Sequence, residues 1–138
     1  MRRYEQFPHT ADIGVRAYGR TLKELFENAA FAMFDIIADL EGLKGTVTQE
    51  VTLKAPNREE LLVAWLDELL YNFYTRSVIF SEFDIKELAD DHLKALVRGR
   101  PAGQNKNRLK TEIKAATYSG LKIKEVDGVF SVEIIFDV

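Results

Sequence analysis

Two residues near the N-terminus could take part in chemistry, because His9 and Asp12 follow the Phe7-Pro8 pair in the segment His9-Thr10-Ala11-Asp12-Ile13-Gly14. The residue before a proline favours an extended backbone, so we expect His9 and Asp12 on a short loop that enters a strand. Neighbouring backbone groups could hold the carboxylate in place for a ligand. The alternative is structural, with Asp12 forming an Asx-type turn and His9 packing or capping.

The C-terminus supplies further carboxylate oxygens. Apolar residues alternate towards the end of the chain, at Phe130, Val132, Ile134 and Phe136. This alternation predicts a strand that stays ordered to the last residue, which brings the Asp137 side chain close to the α-carboxylate of Val138. Like charges that close repel unless they share a cation. With Asp12 added, the three carboxylates would suit calcium, magnesium or manganese. The alternative is a solvated tail that finishes an edge strand.

A third candidate is the segment from Thr111 to Tyr118. If it is a strand, its alternation puts one set of side chains on the same face: Glu112, Lys114, Ala116 and Tyr118. Lys114 could then pair with Glu112 or reach a phosphate. The alternative is an ordinary surface ion pair, which contributes about 1 kcal/mol or less.

Positive charge is concentrated in one stretch, residues 94–110. Its charged residues are Lys94, Arg98, Arg100, Lys106, Arg108 and Lys110, with no Asp or Glu among them. The rest of the chain holds 13 of the 19 Lys and Arg against all 22 Asp and Glu. We expect a flexible basic hairpin on an acidic body, able to touch phosphates or an acidic partner. A solvated loop tip is the alternative.

Composition limits the possible functions. The 138 residues are 46% hydrophobic, which predicts one globular domain spanning 1–138. The net charge of -3 argues against nucleic-acid binding by bulk electrostatics, so any RNA contact must be local. The absence of cysteine excludes disulfides and a thiolate zinc site. We expect a cytoplasmic protein, since neither a targeting signal nor an apolar membrane span is visible.

Two helices must position these residues. Thr21 and Glu24 form a capping box that begins a helix running to about Ala38, and Asn57 caps a second helix that contains Trp65. Strands are predicted at 12–18, 46–54, 78–88, 92–99, 109–126 and 129–138, the last two joined at Asp127-Gly128. The fold class is therefore α+β, with two packed helices against a strand-rich mixed sheet or sheets.

Taken together, these segments resemble the archease family in order and spacing. The segments that carry the resemblance are His9–Gly14, Leu62–Leu70 with Trp65, Glu112–Ala115 with Thr117-Tyr118, and Val132–Val138. The resemblance implies an archease-like fold and an accessory protein of the tRNA splicing ligase, which joins RNA ends using GTP and a metal ion. Archeases are understood to promote the guanylylation and multiple turnover of that ligase without joining RNA themselves.

The resemblance also implies specific site residues. It assigns a bound divalent metal, most often calcium, to Asp12, Asp137 and the terminal carboxylate of Val138, and it makes Lys114 functional. One departure is Ser119, which stands where the family usually has His after the tyrosine. Two alternatives stay open: a stand-alone metal-dependent phosphohydrolase or nucleotide-binding enzyme, and a general chaperone or adaptor for RNA-modifying enzymes. The sequence contains neither a Ser-His-Asp set nor a phosphate-binding glycine loop, so it offers no motif in favour of the stand-alone enzyme.

Overall fold

The computed structural model of the chain describes residues 1–117 and 120–138. Within them, two helices lie with two sheets whose strand pairs are all antiparallel, which confirms the α+β class. The elements are β1 (Tyr4–His9), β2 (Asp12–Gly19), α1 (Leu22–Ile37), β3 (Val47–Lys54), α2 (Arg58–Arg76), β4 (Val78–Leu88), β5 (His92–Pro101), β6 (Ala115–Thr117), β7 (Lys124–Val126) and β8 (Val129–Asp137).

The larger sheet has five strands in the described residues and is centred on β8. Its order is β1-β2-β8-β6, and β7 also pairs with β8. The β7–β8 turn has positive φ at Asp127 (52°) and Gly128 (76°), which confirms the hairpin predicted from that dipeptide. The smaller sheet has the order β3-β5-β4.

The hydrophobic core lies where α1 meets both sheets and α2. Phe34 on α1 packs its ring at a steep angle against Phe73 of α2 and Phe80 of β4, with centroids 6.1 and 5.6 Å away. Trp65 is fully buried, and its indole N–H donates to the carbonyl oxygen of Phe26 at 3.0 Å. This bond joins the two helices and leaves no polar atom of the large ring unpaired.

Both predicted helix starts are confirmed. The hydroxyl of Thr21 accepts the N–H of Glu24 at 3.0 Å, and the side-chain oxygen of Asn57 accepts the N–H of Glu60 at 2.9 Å. The first helix ends at Ile37, one residue before the predicted end. None of the helices in the described part of the chain is long and apolar enough to cross a membrane.

Two predictions are wrong. Among the described residues of the strand predicted at 109–126, only β6 and β7 are strands, each three residues long. Most of the other described residues there have no strand partner, and the segment is anchored through the buried side chains of Ile113 and Ile123. The short loop predicted to hold His9 and Asp12 is instead the junction of two strands, since His9 ends β1 and Asp12 begins β2. Pro8 is tolerated there because β1 is an edge strand, where a missing N–H breaks no ladder.

Candidate functional site

The candidate site lies on the outer face of the five-stranded sheet. Strands alternate their side chains between two faces, and on the inner face Val15, Ile134 and Phe136 are fully buried in the core. We call the face opposite to this core face the outer face. On β1, β2 and β8 it carries Glu5, Phe7, Asp12, Arg16, Glu133, Ile135 and Asp137.

A tight turn between β1 and β2 sets the position of Asp12. His9 and Asp12 are direct partners across the hairpin, so only Thr10 and Ala11 form the turn. Ala11 has a φ of 61°, in the left-handed region that glycine normally occupies at this turn position. His9 Nδ1 lies 3.7 Å from Asp12 Oδ2, which is too long for a hydrogen bond. Because it pairs with His9 across the turn, Asp12 is the first residue of β2.

Asp12 and Asp137 are direct cross-strand partners of β2 and β8. Residues paired in this way have Cβ atoms about 4.5–5.5 Å apart, and like charges at such positions repel. Asp137 is exposed, and the Asp12 side chain is 30% exposed. Val138 follows Asp137 directly along the chain. We call Asp12 and Asp137 the acidic pair.

Lys114 borders the acidic pair on the other side of β8. Its backbone N–H donates to the carbonyl oxygen of Asp137 at 2.7 Å, and the next residue, Ala115, is the β6 partner of Asp137. The Lys114 side chain is exposed and forms no ion pair with the described residues. The structure thus brings Asp12 and Asp137 together and places the backbone of Lys114 beside Asp137.

Two side chains of α2 hold the Lys114 segment in place. The hydroxyl of Tyr74 donates to the carbonyl oxygen of Ile113 at 2.6 Å, and the carboxylate of Asp67 accepts the N–H of Ala116 at 3.1 Å. Burial raises the pKa of Asp67, and the Ala116 N–H offsets part of that rise. We call Asp67 and Tyr74 the α2 clamp. Sequence reasoning missed it because the clamp joins positions far apart in the chain.

A charged cluster lies further along the same face. Arg16 donates to Glu5 at 2.9 Å and to Glu133 at 3.0 Å, and Tyr18 also donates to Glu5. These contacts raise the pKa of Arg16, with Glu133 the largest cause. We call Glu5, Arg16 and Glu133 the arginine cluster. Sequence reasoning missed it too, although any register that pairs Asp12 with Asp137 also pairs Arg16 with Glu133.

Sequence comparison assigns the family. The sequence model of the Archease protein family matches residues 4–138. The chain belongs to the archease family. It is 40% identical over 141 residues to the protein archease of Methanosarcina mazei, with 99% of this chain and 97% of that one covered. It is also 36% identical over 143 residues to the protein archease of Pyrococcus furiosus, with 100% of each chain covered.

Solved structures have the same fold. The solution structure of Methanobacterium thermoautotrophicum protein 1598 is similar with a TM-score of 0.82 and 34% identity, and the match covers 100% of each chain. A crystal structure from Thermotoga maritima, described as an archease and possible chaperone, is similar with a TM-score of 0.69 and 24% identity. That match covers 100% of this chain and 98% of the other, and it supports the fold alone.

The donor atoms of this archease suit a hard cation. In residues 1–117 and 120–138, no three His, Cys, Asp or Glu side chains form a group that could hold a metal ion. The acidic pair therefore supplies two side-chain carboxylates, and a third would come from the main chain at Val138. Neither aspartate makes an ion pair with Lys or Arg among the described residues. Calcium, magnesium and manganese all accept such oxygen ligands.

The predicted alternation around Lys114 is wrong. Glu112 and Lys114 are exposed while Ala116 is buried, so the three do not share a face. The reason is that Thr111 to Lys114 has no strand partner and crosses the end of α2 in an irregular conformation. Tyr118 and Ser119, where the sequence departs from the family pattern, lie outside the described residues.

The basic stretch at 94–110 is not a flexible hairpin. Its first half lies in β5, and its second half forms two short 3₁₀ turns. Arg108 donates to the carbonyl oxygens of Asp39 and Glu41, and Arg100 donates to that of Lys44. These bonds fix the stretch to the connection between α1 and β3. Local contact of its exposed lysines with RNA stays a prediction.

Proposed function

We propose that this archease is an accessory protein of the tRNA splicing RNA ligase. It promotes the GTP-dependent guanylylation of the ligase and its multiple turnover, and it does not join RNA itself. A divalent metal ion, calcium by preference, is held by Asp12, Asp137 and the terminal carboxylate of Val138. We place its action in the cytoplasm, a reducing compartment that suits a chain without cysteine.

The direct pairing of Asp12 with Asp137 carries this proposal. The two carboxylates come from opposite ends of the chain, and they lie side by side with no Lys or Arg partner in the described residues. A divalent cation held by Asp12 and Asp137 would supply charge neutralisation for phosphate oxygens at this end of β2 and β8. Lys114, fixed beside Asp137 by its own N–H, adds a flexible ammonium that contacts the same phosphate group.

The chain's contribution is positioning. The β1–β2 turn and the β2–β8 ladder hold the acidic pair in a fixed register, and the α2 clamp holds Lys114 beside it. Groups that are already ordered lose little entropy when they orient a triphosphate in a partner's active site, so they accelerate the reaction by orientation and electrostatics. No covalent step on the archease is required.

Guanylylation of the ligase, measured with and without the archease, tests the proposal. Asp12→Asn and Asp137→Asn should each lower calcium affinity by roughly tenfold or more and remove the stimulation. Lys114→Gln should keep calcium binding and lose most of the stimulation. Asp90→Asn, at an exposed carboxylate in the β4–β5 connection, is the matched control and should change neither. Full stimulation by both acidic-pair variants would contradict the proposal.

A chain with one glycine added after Val138 separates the terminal carboxylate from the side chains. The addition moves that carboxylate by one residue while both aspartates stay in register. We expect weaker calcium binding and less stimulation. Unchanged calcium affinity would restrict the metal ligands to Asp12 and Asp137.

A general chaperone activity is the second candidate, because the Thermotoga maritima relative is described as a possible chaperone. Exposed aromatic residues on α2, Tyr71 at 63% and Tyr74 at 46%, offer apolar surface to a client. Suppression of the aggregation of unrelated unfolded proteins tests this candidate. Suppression that survives both acidic-pair substitutions would favour it over ligase activation.

A further inference from the structure

A concavity of about 270 Å³ lies on the outer face beyond the arginine cluster. Its polar lining comes from Arg16, Lys122, Lys124, Ser131 and Glu133. Arg16 is four residues from Asp12 along β2, so the concavity is roughly 14 Å from the acidic pair. The concavity and the acidic pair are therefore separate places on the same face of the sheet.

The two lysines stand on an anchored backbone. Ile123 between them is 3% exposed, and its N–H donates to the carboxylate of Glu59 on α2 at 3.2 Å. Lys124 is the β7 partner of Ser131 on β8. Because Ile123 points into the core, its two exposed neighbours project to the outside together. The core therefore fixes the spacing of the two lysines along the backbone.

The charge of these lysines is uncompensated in the described part of the chain. Glu133, the carboxylate that lines the concavity, is already bound by Arg16, and the nearby carboxylate of Glu59 accepts the backbone N–H of Ile123. Lys122 and Lys124 form no ion pair within residues 1–117 and 120–138. The concavity thus concentrates positive charge in a chain whose net charge is -3.

We propose that this concavity binds a phosphate group carried by a nucleotide or by RNA. Two ammonium groups supply charge, and the hydroxyl of Ser131 supplies a directed donor, the combination that proteins use on phosphate oxygens. Arg16, held by its two glutamates, also lines the site. The proposal uses neither the metal ion nor the ligase, so it stands or falls separately from the proposed function.

Backbone NMR of the unchanged protein locates the site. We expect inorganic phosphate, GTP and a single-stranded RNA oligonucleotide, titrated separately, to shift the amide signals of Lys122, Lys124 and Ser131 saturably. GTP binding without RNA binding assigns the phosphate to a nucleotide, and tighter RNA binding assigns it to RNA. Absence of saturable shifts at these residues with all three probes overturns the proposal.

Variants add a second measurement. Lys122→Gln combined with Lys124→Gln should weaken binding of the best probe roughly tenfold at about 50 mM salt and less at about 200 mM, because counterion release shrinks as salt rises. Lys23→Gln combined with Lys54→Gln removes the same charge from exposed positions on α1 and β3 and should leave the affinity within about twofold. An equal loss in both double variants would mean bulk electrostatics and overturn the site.

Discussion

The acidic pair and the arginine cluster occupy the same sheet face, four residues apart, and they treat charge in opposite ways. In the arginine cluster, Arg16 lies between two glutamates and bonds to both. In the acidic pair, Asp12 and Asp137 face each other without a Lys or Arg partner among the described residues. The first arrangement pairs opposite charges within the fold. The second leaves like charges together, and the metal ion proposed for this site would neutralise them.

The largest expected effect that separates the two regions is stabilisation by calcium. At about 100 times the dissociation constant, a ligand that binds only the folded state stabilises it by about 2.7 kcal/mol. We expect thermal unfolding of the unchanged chain to move up by several degrees between EGTA and saturating calcium. Arg16→Gln should respond to calcium in the same way, since Arg16 is not part of the acidic pair.

Asp12→Asn should remove that response to calcium. In EGTA the same variant should be as stable as the unchanged chain or more stable by about 0.2–1 kcal/mol, because it ends the cross-strand repulsion. Asp90→Asn, the exposed control, should keep the full calcium response. A calcium response that is equal in Asp12→Asn and Asp90→Asn would place the bound ion elsewhere.

The α2 clamp gives the next comparison, since the β6 residues that the structure describes pair with the part of β8 that carries Asp137. Asp67→Ala leaves the N–H of the buried residue Ala116 without its acceptor, and we expect a loss of about 1–3 kcal/mol in urea unfolding. Asp67→Asn keeps a side-chain acceptor and should lose less. A loss from Asp67→Ala below that of ordinary surface substitutions would show that the clamp is not stabilising.

The pH dependence of the clamp has a definite sign. Burial raises the folded-state pKa of Asp67 above its ordinary value of 3.8. The folded state therefore binds the proton more tightly than the unfolded state does, and this contribution is full below pH 3.8 and is lost as pH rises through the folded pKa. Unfolding curves of Asp67→Asn should lack that decline. An identical pH profile for the two chains would contradict the raised pKa.

Local chemistry explains which elements the sequence predicts. The caps at Thr21 and Asn57 depend on side chains three residues from their partners, and the Asp127-Gly128 turn depends on two adjacent residues. A short stretch of sequence is therefore enough to predict these elements. The segment 109–126 was misassigned because an alternating apolar pattern does not reveal whether a partner strand is available.

The candidate site shows the same difference between local features, which the sequence predicts, and long-range contacts, which it does not. Sequence supplies the chemical types at Asp12, Asp137 and Lys114, but their meeting depends on the register of β2 with β8 and of β6 with β8. Likewise, the clamp residue Asp67 gains its role only when α2 packs beside Ala116. Such contacts join residues far apart in the chain, so no local pattern predicts them.

Breaking the arginine cluster should have a smaller effect. Its members are largely exposed, so Arg16→Gln should lower the midpoint of thermal unfolding by about 2 °C or less, and high salt should shrink the difference. The Tyr18 hydroxyl and then Arg16 lower the pKa of Glu5, so this stabilisation exists above the ordinary pKa of Glu5 and is lost as pH falls through the lowered value. A salt-independent drop would mean that Arg16 acts through packing.

The smallest effect concerns the turn that presents Asp12. Left-handed backbone costs a residue with a Cβ about 1–2 kcal/mol, while glycine loses about 0.5–1 kcal/mol of chain entropy, so Ala11→Gly should stabilise the fold by roughly 0.5–1 kcal/mol in urea. Ser77→Gly, at the left-handed residue after α2, is the matched control and should stabilise similarly. If only Ala11→Gly also weakens calcium binding, a stiff turn serves the acidic pair; if neither variant changes calcium affinity, the β2–β8 ladder alone positions Asp12.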